Sequence, residues 1–259
     1  MSNLLKFNFR KLRMQKTFYI FMGVIIGMNL LTAVMIKVMI SMGSTASTAA
    51  QLQTYKNITA FDFGLSAIEG SSFITIMGIV IALAVCNDFE QRTVKTIFAR
   101  GYSHTQFYFS KLWTMFAATT IAFIITVLSG YVIGFIFFGT GDVKFRFLKT
   151  LVILGGQYIA VLANAAFIFM LSFLFKRSGL SITIAIIAPI VMSLVLQLGE
   201  ALIKSDDIKL ANYWVTTCFT PLSSIDVSTA KIITCLVVSI AYAIAFVSAG
   251  AALSKKTEV

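Results

Sequence analysis

Six runs of at least 18 residues contain no Asp, Glu, Lys, Arg or His: Thr17–Ile36, Gly70–Asn87, Leu112–Gly141, Thr150–Phe175, Ser178–Gly199 and Ile232–Ser254. A helix needs roughly 20 apolar residues to cross about 30 Å of hydrocarbon. Inside lipid, a segment must satisfy its own backbone hydrogen bonds, which a helix does. None of the runs alternates as a barrel strand would. The pattern therefore predicts six transmembrane helices.

Composition agrees. The 259-residue chain is 58% hydrophobic and 12% charged, with a mean hydropathy of +0.91; soluble domains carry about 25% charged residues. The fold class expected is an all-α integral membrane protein with one transmembrane domain over 1–259. Its spans are placed at about 17–40, 70–87, 105–140, 148–175, 178–199 and 229–254. Residues 1–16 alternate Leu and Phe with Lys and Arg and read as a helix lying in the membrane interface. The outer loop that follows the first span reads as partly helical. Residues 200–228 hold a shorter run, Leu210–Ile225, with Asn212, Pro221 and several hydroxyls. That run reads as an outer re-entrant or interfacial element.

Orientation follows from lysine and arginine, which are retained on the cytoplasmic side. With both termini inside, 13 of the 21 basic residues are cytoplasmic, and the inner flank of the first span holds five of them with no acid. The same rule accounts for the net charge of +11 without invoking nucleic acid. Cys86, Cys218 and Cys235 are odd in number and widely spaced, and read as free thiols.

What the spans lack is also informative. Ion-coupled transporters usually place ionisable groups at mid-membrane, and these runs have none. No catalytic residue and no metal site is expected, because one histidine and scattered carboxylates build neither a dyad nor a metal cage. No G-x-x-x-x-G-K-[ST] phosphate loop is present, so ATP would have to be hydrolysed elsewhere. Gln157 and Asn164 fall on one helical face as pathway-lining or packing groups, and Gly23 and Gly27 form a GxxxG step suited to a dimer seam. Gly130 and Gly134 repeat that spacing.

Between the second and third runs lies the charged segment Asn87–Lys111, with Asp88, Glu90, Arg92, Lys95, Arg100, the single histidine His104, and Lys111. Asn87 reads as an N-cap with Glu90 as its reciprocal partner. Phe89, Thr93 and Ile97, with Val94 and Phe98, fall at helical spacing and give the helix an apolar side. Gly101 reads as its left-handed terminus.

The order E-x-x-T-x-K-x-I-x-x-x-G-x-S-x-x-x-x-x-x-x-K is carried by Glu90, Thr93, Lys95, Ile97, Gly101, Ser103 and Lys111. With the basic N-terminal helix and six spans, it resembles the permease subunit of bacterial ABC transporters of the ABC-2 type. His104 departs from the arginine frequent there. The resemblance implies a homodimer of permeases in the bacterial cell membrane, with two P-loop ATPase subunits docked beneath in a 2+2 assembly. ATP and Mg would bind the ATPase, and this chain would hold no cofactor. Asp88, Phe89, Glu90, Arg92, Thr93, Lys95, Ile97, Phe98 and Arg100, within residues 88–104, would form the coupling helix, its apolar face seated in a groove of the ATPase. Small systems of this kind resemble exporters of amphipathic or antimicrobial peptides. Drugs, sodium or lipid-linked glycans as cargo, an ion-coupled secondary transporter, and a membrane enzyme remain as alternatives.

Overall fold

The computed structural model describes residues 2–42, 58–70, 72–91, 93–139, 146–203, 214–223 and 227–256. Among these there is no strand. In chain order the helices are α1 (Ser2–Met14), α2 (Lys16–Met42), α3 (Ala60–Gly70), α4 (Phe73–Glu90), α5 (Thr93–Ala99), α6 (His104–Phe138), α7 (Arg146–Phe175), α8 (Ser178–Ile203), α9 (Phe219–Leu222) and α10 (Thr229–Lys256). Six of them, α2, α4, α6, α7, α8 and α10, are long and apolar enough to cross a membrane, in agreement with the six runs.

These six are not equivalent. The most apolar window is 61% buried in α4 and 56% in α7, against 11% in α8 and 17% in α10. The first two form the centre, and the others turn apolar sides outward, including Ile20, Leu30 and Met35 of α2 and Ile190, Leu194 and Leu198 of α8. In water so continuous an apolar surface would drive association; in hydrocarbon it matches its solvent.

The second span has two parts. α3 lies along the upper half of α6, and α4 continues from it toward the lower end, defined here as the end carrying α1 and α5. Between them Ser72 adopts a left-handed conformation, with φ 53°. Small residues bring α3 and α6 together. A Cβ on Gly130 would meet the Ala67 Cβ at 2.5 Å, and one on Gly134 would meet the Ala60 backbone at 3.0 Å. Gly64 in turn leaves room for the Tyr131 ring. The Gly130/Gly134 spacing thus serves contact within the chain. α3 is fixed at its start by Thr59 and Asp62, whose side chains cap each other's backbone amides at 3.2 and 3.4 Å. Phe63, Leu65, Ala67 and Ile68 are buried, so this part of the expected outer loop is core.

At the same end, the segment 214–223 packs between α7 and α10. Trp214 meets Phe167 and Tyr242 edge-on, with ring centroids 5.9 and 5.5 Å apart. Cys218 lies beside Cys235, and Leu222 rests on Gly156 and Ile232. The segment therefore runs antiparallel to α10. Trp214 sits level with Tyr242, about 20 Å along α10 from its start at 1.5 Å per residue. Residues 204–213 and 224–226 of the expected 200–228 element lie outside the described residues.

Candidate functional site: the lower ends of the spans

Asp88, Phe89 and Glu90 form the last turn of α4, and each is held by different elements. Asp88 is 2% exposed. It accepts from Lys11 Nζ at the end of α1 and from Lys111 Nζ near the start of α6, both at 2.5 Å. Lys111 is itself buried. One turn before Lys11, Asn8 Nδ2 donates to Oγ of Ser110, the residue preceding Lys111, at 3.0 Å. A buried carboxylate is stable only when its charge and lone pairs are met, and here two ammonium groups meet them.

Phe89 inserts its ring edge-to-face between Phe107 of α6 (6.2 Å) and Phe173 of α7 (5.2 Å), and the Lys176 ammonium lies 5.8 Å from its centroid. Glu90 reaches α8. Its Oε1 accepts from the Ser178 backbone amide at 2.7 Å. That amide is among the first of α8, where N–H groups lack helical partners and a negative charge is favoured. Lys176 makes the tight link from α7 to α8 in a left-handed conformation with φ 55°.

Two expectations are corrected here. Asn87 does not cap a new helix. α4 continues through it to Glu90, and the Gln91 amide donates to the Asn87 carbonyl at 3.0 Å. The break comes after Glu90, because Asp88 and Glu90 are anchored to other elements and end α4 there. The expected single coupling helix is thus the end of one helix plus the short α5. Nor does the apolar side face outward. Val94 and Ile97 are buried in the same core as Leu4 and Leu12 of α1, and the Phe98 ring lies 4.1 Å from that of His104 and 5.9 Å from Phe107. Burying that side against the span ends removes it from water, which is its main stabilisation. Thr93 is half-buried. Left exposed are Gln91, Lys95, Thr96, Ala99 and Arg100. Arg92 lies outside the described residues.

The end of α5 matches its sequence. Gly101 has φ 83°, and its amide donates to the Phe98 carbonyl at 2.9 Å. Ser103 and Gln106 form the capping box that starts α6.

Of the remaining sequence candidates, Gln157 is bound within the chain. Its Nε2 donates to the Leu65 carbonyl of α3 at 3.0 Å and to that of Leu222 at 2.8 Å, so it joins α3, α7 and α9. Asn164 is buried beside a void of only ≈ 10 Å³ bordered by Met77 and Ile168, no more than a single water needs. Gly23 and Gly27 have nothing within 4 Å of an added Cβ and lie on an open side of α2. The partnership of Lys11 and Lys111 with Asp88 was missed from sequence, because 77 and 23 residues separate the partners.

A family model described as ABC-2 family transporter protein matches residues 4–192. The chain belongs to the ABC-2 transporter family. The match covers α1 through the first half of α8, including every element of the lower-end assembly. No curated protein and no solved structure gave a match. As an ABC-2 permease, this chain is a multi-pass membrane protein and a transport subunit. Permeases of this family normally work with an ATPase subunit.

Proposed function

We propose that this permease is the transmembrane half of an ATP-driven exporter and that its ATPase docks on the exposed side of α5. The observation that carries the reading is the Asp88-Phe89-Glu90 turn. It joins α4 to α1, α6, α7 and α8, so displacement of α5 reaches four spans through three consecutive residues. The docking groups are those α5 turns outward: Lys95, Thr96 and Arg100, with Gln91. Their positive charge suits an acidic patch on the ATPase and sets register more than affinity. ATP and Mg are held by that partner. Both termini are cytoplasmic in this reading, the membrane is the bacterial cell membrane, and segment 214–223 is a re-entrant element on the outer side.

Two permeases pair in a 2+2 complex, with the open Gly23/Gly27 side of α2 as the seam. The cargo class is amphipathic peptides. A groove of ≈ 690 Å³ lined by Phe109, Phe116, Ile159, Ile240, Ile244 and Val247 is almost wholly apolar and supports that reading.

The test is co-purification with a co-expressed ATPase of the ABC class, followed by reconstitution. Lys95→Glu with Arg100→Glu is expected to leave membrane insertion intact and abolish both ATPase recovery and peptide-stimulated ATP hydrolysis. Full recovery of the ATPase by the double mutant would refute the docking site. Hydrolysis that no amphipathic peptide stimulates would refute the cargo.

A further inference from the structure

Away from the lower end, a cavity of ≈ 490 Å³ opens between segment 214–223 and the first turns of α10, walled by Thr217, Thr220, Lys231 and Thr234 and by two thiols, Cys218 and Cys235. Both cysteines are reduced and buried. The Cys235 Sγ is 4.0 Å from the Cys218 carbonyl oxygen, and both cysteines line this one cavity. Lys231 stands four residues before Cys235, on the same side of α10 and on the same cavity. A cation beside a thiol speeds thiolate chemistry. The third cysteine, Cys86, has a serine hydroxyl as its side-chain neighbour, with its Sγ 3.1 Å from Ser181 Oγ.

We propose that Cys218 and Cys235 are a reversible dithiol–disulfide pair, oxidised by a low-molecular-weight disulfide admitted through this cavity. Cys235 gives its proton to solvent, and its thiolate attacks one sulfur of the reagent RS–SR. An S–S bond forms to Cys235, the reagent's own S–S bond breaks, and RS⁻ leaves to be protonated by solvent. Cys218 then gives its proton to solvent and attacks the Cys235 sulfur of the mixed disulfide, expelling the second RS⁻. Two protein thiols lose two electrons, and one RS–SR becomes two RSH. The product fastens segment 214–223 covalently to α10, beside the contacts of the Trp214 ring and Leu222.

The experiment uses the full chain in detergent, reduced and then exposed to oxidised glutathione. Free thiols are alkylated without reduction, and the peptides are weighed. The expected result is a Cys218–Cys235 linked pair two hydrogens lighter than the separate peptides, with Cys86 alkylated in the unfolded chain. Cys218→Ser is expected to trap glutathione on Cys235, and Lys231→Gln to slow linkage severalfold. Glutathione on both cysteines of the unaltered chain, both thiols still free for alkylation, or linkage to a second chain would each overturn the proposal. None of these readouts depends on transport or on an ATPase.

Discussion

The carboxylate of Glu90 and the backbone amide of Ser178 stand 2.7 Å apart, 88 residues from each other in sequence. Through this contact the end of α4 acts as an N-cap for α8, whose most apolar window is only 11% buried. Removing the acceptor exposes the start of α8. Glu90→Ala is expected to raise hydrogen exchange at the Ser178–Ser181 amides on the order of a few-fold, since a missing cap frees the first turn. Glu90→Gln, which keeps an acceptor and loses the charge, should fall between. Equal protection in all three chains would remove the capping role.

Asp88 carries a larger consequence. Asp88→Ala leaves Lys111 buried without its counter-charge and removes the carboxylate it shares with Lys11 of α1, leaving Asn8 and Ser110 as the hydrogen bond between α1 and α6. Breaking one side of a buried ion pair costs about 3–5 kcal/mol. Thermal unfolding of the detergent-solubilised chain should show a lowered midpoint. Asp88→Ala combined with Lys111→Met should recover part of the loss, because the stranded charge is then gone. A midpoint unmoved by Asp88→Ala would contradict the buried pair.

On α5, inward and outward residues should separate cleanly. Ile97→Ala opens a gap in the core beneath α5 and is expected to cost about 2–4 kcal/mol. Lys95→Ala, on the exposed side, should leave stability unchanged and weaken ATPase recovery alone. Measuring melting midpoint and ATPase recovery on both variants checks this. The assignment of sides fails if Lys95→Ala destabilises the isolated chain.

The glycine steps make opposite predictions. Gly130→Val forces a side chain into Ala67 and should cost about 1–3 kcal/mol by overpacking, with α3 displaced from α6. Gly23→Leu and Gly27→Leu meet nothing inside the chain and should leave its melting midpoint intact. If α2 is the seam between copies, they reduce cross-linking of the dimer. Undiminished cross-linking would move the seam elsewhere.

Much of this was legible in the residues. The six charge-free runs became the six long helices, and Gly101 and Ser103 mark the end of α5 and the start of α6 as their types require. Less legible was α3. Its Thr59-x-x-Asp62 cap and the small positions Ala60, Gly64 and Ala67 are helix signals, but the Ser- and Thr-rich stretch before them reads as a loop. The split of the expected coupling helix could not be read locally either. Phe89, Thr93 and Ile97 keep helical spacing across the break, which is caused by partners on α1, α6 and α8. Periodicity reports which residues share a side, and it carries no record of what holds them there.

The break in the second span has a consequence for how that span is held. α4 is an unbroken rod of 18 residues, about 27 Å at 1.5 Å per residue. Asp88, Phe89 and Glu90 therefore belong to one continuous helix that reaches up to Phe73. Above that point α3 is wedged against α6 by Gly130 and Gly134. The left-handed residue between them interrupts the helix, so the two parts of this span are seated separately, α3 on α6 and α4 on α7 and α8.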